Sequence, residues 1–283
     1  MKQASSRQFR GWTLPGPDPT TGIEPESLPK PEQGESLDAL SGHFKIFQLK
    51  DGHRFSTDDL LVAWYGTSYA VRADRILDLG SGLGTVAMIA AWRLPGARLV
   101  SVEAQEISFK LSQKSHHYNG LDSRLEARLG DFRDPTLFSA DESFDLILGS
   151  PPYFPLDSGV LSDHPQKVAC RFEVRGTVAD YFHAAAPRLA PGGMVSVVFP
   201  VRPLEQHTRV MEGAKSAGLV LVRERWVRLK ADEEPLLGVF LFMREQDIPS
   251  PMAFREPDLV IRTAKGEIHP EYSAIKLSIG FPP

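Results

Sequence analysis

The chain has 283 residues, with 42% apolar and 24% charged side chains and a net charge of −4. That is the composition of an ordinary globular protein and excludes a fibrous or low-complexity one. Its single cysteine, Cys170, excludes an intrachain disulfide and a cysteine-based metal cluster, and no apolar run approaches the roughly 20 residues needed to span a bilayer. Residues 1–159 hold 16 Lys and Arg against 21 Asp and Glu, and the remainder 16 against 15. A global positive field toward nucleic acid is therefore excluded, and any such contact must come from local patches. The opening residues lack the apolar core of a signal peptide, so a cytoplasmic location is expected.

From Gly11 to Gly34 the chain reads GWTLPGPDPTTGIEPESLPKPEQG, rich in Pro, Gly and acids and without periodic apolar residues. Residues 1–40 are therefore expected to be a flexible or extended tail, and residues 41–283 a single domain. The stretch HFKIFQLKDGHRF alternates about Asp51-Gly52, which predicts a hairpin with its turn there. STDDLLVAWYG follows, a Ser/Thr/Asp cap before an apolar helical run.

From Arg75 onward a unit of strand, glycine turn and helix repeats. RILDLG, ARLVSVE, RLEARLG, FDLILG and MVSVVFP read as strands; TVAMIAAWRL, ISFKLSQKSHHYNG, TVADYFHAAAPRL and LEQHTRVMEGAKSAG read as helices. LVLVRERWV and LLGVFLFMRE, joined across the acidic ADEEP, predict a closing antiparallel hairpin. The fold class is α/β, a doubly wound sheet of seven strands with right-handed crossovers. Residues from Asp247 onward are Pro-rich and yield no element. VRERWVRLK and CRFEVR are candidate basic patches, each equally readable as a solvated face.

The first strand ends in DLGSGLGT, which supplies Asp78, Gly80, Gly82 and Gly84. Glycines at a strand-to-helix turn let the chain bend tightly and let a ligand approach the backbone. The second strand ends at Glu103, 25 residues after Asp78, where a carboxylate can accept two hydrogen bonds from a ribose diol. After the third strand GDFRD offers Asp131 as acceptor for an adenine amine and Phe132 as a cover for its ring. The fourth strand ends in GSPPYF: Ser150, Pro151, Pro152 and Tyr153. Two prolines make that stretch stiff and extended. Its plain reading is a rigid connection, and its sharper one is a platform for a flat ligand. All four landmarks fall at the carboxyl ends of strands, the edge where open α/β sheets bind ligands.

In order, DLGSGLG, VE, GDF and SPPY resemble the class I S-adenosylmethionine-dependent methyltransferases, which have a Rossmann-like sheet. The last motif is similar to the Asn/Asp/Ser-Pro-Pro-aromatic signature of enzymes that methylate planar NH₂ groups. With GHRFSTDDLLVAW upstream and ACRFEVRGTVADYFHAAAPRLAPGGMVSVVFP downstream, the chain resembles, over roughly residues 40–245, the bacterial tRNA (adenine-N6)-methyltransferases acting beside the anticodon of a valine tRNA. That family usually carries Asn at the position of Ser150. The resemblance implies S-adenosylmethionine as cofactor, RNA, and tRNA first, as partner, and neither metal nor membrane. It places Thr57 and Asp58 near the methionine end of the cofactor. Ser150 and the Pro151 carbonyl would accept from the target amine while Tyr153 stacks on the base. Arg171 and Arg175, which follow the acceptor loop, are the expected RNA contacts. A glutamine-amide methyltransferase and a non-catalytic cofactor- or RNA-binding scaffold are the competing readings.

Overall fold

RILDL, with four of its five side chains buried, becomes the strand Arg75–Leu79 (β5) in the interior of the sheet. In the computed structural model, residues 8–9, 11–155, 164–248 and 253–283 are described. Gln8–Phe9 (β1) pairs antiparallel with Trp12–Thr13 (β2), and Glu35–Ala39 (β3) with Lys45–Leu49 (β4). Thr57–Tyr69 (α1) precedes β5; Thr85–Arg93 (α2), Arg98–Glu103 (β6), Glu106–Tyr118 (α3), Leu125–Leu129 (β7) and Phe144–Gly149 (β8) follow. Next come Pro165–Arg171 (α4), Val178–Ala185 (α5), Leu189–Pro200 (β9), Leu204–Ser216 (α6), Leu219–Lys230 (β10) and Leu237–Arg244 (β11). Phe254–Arg262 (β12) and Pro270–Ser278 (α7) complete the order.

The central sheet runs β12-β10-β11-β9-β8-β5-β6-β7. β9, β8, β5, β6 and β7 are parallel neighbours, and β10 with β11 forms the antiparallel pair expected across ADEEP. The sheet has eight strands instead of the expected seven. The extra one, β12, lies parallel to β10 at the edge, and only its Leu259 and Ile261 are buried. Two apolar positions around a proline carry too little alternation to be read as a strand. α7, also unread, buries Tyr272 and Ile275 in the same core as α1, α2 and β4.

The hairpin is displaced from its expected position. β4 pairs with the upstream β3, register Glu35↔Leu49 to Ala39↔Lys45, so Asp51-Gly52 is no hairpin turn. Gly52 has no positive φ, as the favoured two-residue hairpin turn would demand. Residues 50–56 instead run beneath α4, where His53 N donates to Gln166 Oε1 at 2.8 Å. The strand β3 also corrects the 1–40 tail boundary. Upstream of it, Leu28 packs on the core, and Glu32 pairs with Lys114 Nζ at 3.1 Å, as does Glu35 at the start of β3, at 2.7 Å. Long-range contacts, invisible to local periodicity, hold this segment against the domain.

Two cores flank the sheet. One lies under α1, α2, α3 and α7; the other lies under α5 and α6. In the second, Phe182 is fully buried with its ring edge-on to Phe242 at 4.9 Å. Phe182→Ala should destabilise the fold by about 3–5 kcal/mol, read as a lower denaturant midpoint at unchanged slope. A loss under about 1 kcal/mol would show that this face closes without it.

Candidate active site

The carboxyl ends of β5, β6 and β8, the loop before α1, and α4 enclose a cleft of about 590 Å³, ample for a nucleoside-sized ligand. Of the residues singled out in the sequence, Asp58, Asp78, Gly80, Gly82, Glu103, Asp131, Phe132, Arg175 and the whole of Ser150–Tyr153 line it. Thr57 and Gly84 do not: Thr57 turns to the Tyr272 hydroxyl on α7. The side chain of Arg171 lies outside the described residues.

The glycine loop shows why three glycines recur. Gly80, Gly82 and Gly84 have φ of 61°, 54° and 80°, a region that penalises side chains. A Cβ on Gly80 would meet the Tyr181 hydroxyl, and one on Gly84 would lie 2.8 Å from His116 Nε2 beneath the loop. Gly84 is thus a packing glycine. Gly82 has open space where its Cβ would be, so it leaves the cleft floor bare. Asp78 is buried and accepts from Ala87 N at 3.1 Å, tying β5 to α2. Burial pushes its carboxyl above the ordinary range, and the bond from Ala87 N opposes that rise.

Glu103 is 6% exposed. Its Oε2 accepts from Gly82 N at 2.8 Å and its Oε1 from Gln105 N at 2.6 Å. Burial raises its pKa, and these bonds together with Arg175 oppose that rise. Asp131 is held below the usual range, first by Arg133, whose Nη2 lies 2.5 Å from Oδ2. Arg175 also acts on Asp131 electrostatically. Arg175 therefore lines the same cleft as these two carboxylates.

Four lining residues carried no signal of their own in the sequence. Tyr181, from α5, packs on Phe132 at 4.5 Å between centroids, and Gln105 Nε2 contacts Cys170 Sγ at 3.7 Å. Burial pushes that thiol up to about 12, so it stays protonated. Lys167 and Arg54 stand at the rim. Asp59, visible only as a helix-capping acid, accepts from Ser56 N at 3.0 Å, and burial beside Asp58 pushes its carboxyl up to about 7.

The acceptor loop leaves β8 at Gly149, where a Cβ would lie 2.7 Å from the Tyr181 ring. Tyr153 packs edge-on to Phe199 at 5.5 Å, its hydroxyl donates to Asp58 Oδ2 at 2.5 Å, and its carbonyl accepts from Gln206 Nε2 at 3.4 Å. Phe199 and Asp58 thereby anchor its side chain, and Gln206 its backbone. The neighbouring Phe154 is the more exposed aromatic, at 44%, with its ring against those of Tyr153 and Phe172. Among the described residues, no group of three or more His, Cys, Asp or Glu is placed to hold a metal ion, and no helix is long and apolar enough to cross a membrane.

A parallel sheet whose glycine turn, strand-end acid and Pro-Pro loop open on one cleft defines an S-adenosylmethionine-dependent methyltransferase. The donor set fits that cofactor. Bare backbone at Gly82 admits it, Glu103 suits a ribose diol, and the carboxylates of Asp58, Asp59 and Glu103 suit a cation. Residues 58–214 match the family model described as the methyltransferase small domain, and the chain belongs to that family. Similar curated proteins include two named tRNA1(Val) (adenine(37)-N6)-methyltransferase. The one from Porphyromonas gingivalis is 28% identical over 81% of this chain and 89% of that protein. The one from Pasteurella multocida is 31% identical over 56% and 66%. Among solved structures, a predicted O-methyltransferase of Agrobacterium tumefaciens superposes with a TM-score of 0.60 at 17% identity, over 80% of this chain and 98% of that one. A Thermus thermophilus 16S rRNA N2 methyltransferase in complex with AdoMet and guanosine gives 0.51 at 18%, over 75% and 50%. The two structures bear out the Rossmann-like fold. The methyl donor of this enzyme is S-adenosylmethionine.

The raised carboxyl of Asp59 has a pH signature. Between about 3.8, its ordinary value, and about 7 the folded protein binds more protons there than the unfolded chain does. Asp59 thus contributes stability at acid pH that is lost as pH rises through about 7. A bound cation offsets the loss by pairing with the ionised form. S-Adenosylmethionine should therefore raise the melting temperature more at pH 8 than at pH 5.5, measured by calorimetry. Equal shifts at both pH values would remove Asp59 from the cofactor's field.

Proposed function

We propose that this enzyme methylates the exocyclic N6 amine of an adenine in RNA, with tRNA as the substrate. The observation that carries the reading is the Ser150–Tyr153 loop opening on the same cleft as Gly80, Gly82 and Glu103. An aromatic amine is a poor nucleophile because its lone pair is delocalised into the ring. Ser150 Oγ and the Pro151 carbonyl would accept its N–H bonds and stabilise the charge that develops on attack. Bound in the cleft, S-adenosylmethionine supplies a methyl group on a good leaving group, so that positioning does most of the work. Gly80, Gly82, Glu103, Asp131 and Phe132 would hold its adenosine, with Asp58 and Asp59 facing its cationic end. The curated relatives' names point the same way for the acceptor.

The rim gives the RNA a place to enter. Arg54, Lys167 and Arg175 line the cleft, and Phe154 beside them offers a ring for an extruded base. Neutralising Lys167 and Arg175 together should weaken RNA binding and reduce the slope of log K against log salt by about 1–2. An unchanged slope would make both residues a solvated face. The function itself is tested with purified protein, methyl-labelled S-adenosylmethionine and tRNA transcripts, digested to nucleosides. N6-methyladenosine is the expected product. Labelled protein glutamine, or no transfer to any RNA, would overturn the reading.

A further inference from the structure

α1, α2, α5 and α6 put apolar side chains into the two cores. α4 is held differently. None of its described side chains joins either core, and the one that is buried is polar: Gln166, 1% exposed. Both ends of its amide are used. Oε1 accepts from His53 N, in the loop before α1, at 2.8 Å, and Nε2 donates to the buried Ser108 Oγ on α3 at 3.0 Å. Gly52 makes room for it, because a Cβ there would collide with Gln166 Oε1 and with Leu49 Cβ. Since Gly52 has no positive φ, the glycine is required for space and not for backbone freedom. Beyond α4, Glu173 N donates to Phe154 O at 2.9 Å, which ties the chain leaving the helix to the acceptor loop.

We propose that Gln166 is a positioning residue that fastens α4 over the cofactor cleft, so that one buried amide governs how fast the cofactor escapes. This rests on the reading that the cleft holds the cofactor. Lys167 and Cys170 on α4 line that cleft, and Gln105 Nε2, two residues beyond Glu103, reaches Cys170 Sγ at 3.7 Å. α4 thus closes the cleft beside the strand end suited to the ribose. Gln166 joins the loop that leads into Asp58 and Asp59 to the helix that follows Glu103. A helix fastened by hydrogen bonds instead of an apolar face opens locally at lower cost than the core does. Losing the Gln166 bonds should therefore open α4 and leave the sheet intact.

Cys170 is the chain's single cysteine, so its alkylation by iodoacetamide reports the opening of α4 directly. In the free protein it should react roughly 10-fold faster in Gln166→Ala than in wild type, the scale of two lost hydrogen bonds. Ser108→Ala removes one of those bonds from outside the cleft. It should give an acceleration of about 3-fold, and none when added to Gln166→Ala. S-Adenosylhomocysteine should leave Gln166→Ala faster than wild type by about the same factor as the labelling, measured by displacement of labelled ligand. Unchanged labelling in Gln166→Ala, or a further acceleration by Ser108→Ala in that background, would overturn the proposal. So would a labelling rate that climbs with urea as steeply as global unfolding does, or faster labelling without faster ligand release. A wild-type protein whose labelling S-adenosylhomocysteine does not slow overturns the reading of the cleft instead, and labelling of the free variants still decides the latch.

Discussion

Replacing Ser150 with alanine is expected to slow methyl transfer by roughly 10–1000-fold, the range for losing one preorganised hydrogen bond to a transition state. Cofactor affinity should hardly change, because the glycine loop and Glu103 lie on neighbouring strands and keep their own hydrogen bonds, such as Gly82 N to Glu103. Ser150→Asn should keep most of the activity on adenine, since it restores an acceptor at the same strand end. Single-turnover labelling of a tRNA transcript separates the variants. Full activity in Ser150→Ala would leave the loop as nothing more than the stiff connection its two prolines specify. Tyr153→Ala should be slow as well, but for a structural reason. It removes the ring packed on Phe199 and the donor to Asp58, so its harm should reach stability as well as rate.

The second large effect is expected at Glu103. Glu103→Ala should weaken binding of S-adenosylmethionine and S-adenosylhomocysteine by about 1.5–3 kcal/mol, the scale for hydrogen bonds to a charged group. The change acts twice. It removes the acceptor for the ribose, and it frees the backbone N–H groups of Gly82 and Gln105 that the carboxylate now holds. Glu103→Gln should lose less, because its amide oxygen can still accept one of those bonds. Titration calorimetry measures both variants, and an affinity equal to wild type in Glu103→Ala would take this residue out of the site.

Much of this protein was legible in the chain because its elements are written in local patterns. RILDLG, ARLVSVE and FDLILG are short apolar runs ended by glycine or acid, and such runs between helical stretches leave a parallel sheet as the economical solution. That topology puts Gly80, Glu103, Asp131 and Ser150 on one edge without further information. The family resemblance rests on those same residues.

The remainder depended on contacts between distant parts of the chain, which no window of sequence contains. Whether β4 pairs upstream or downstream was settled by burial of Ile46 and Phe47 in the core and by Gln166 capping the loop beyond it. β12 and α7 have too few apolar positions to announce themselves, and they are stable only because β10 and the first core were already there to receive them. The same holds at finer scale in the site. The motif supplied a serine, two prolines and a tyrosine at one strand end. The Tyr153 hydroxyl donates to Asp58, 95 residues away from it in the chain and brought to 2.5 Å by the packing of α1 across the sheet. Local chemistry chose the residues, and the hydrogen-bond partner that anchors the tyrosine exists only once the chain is folded.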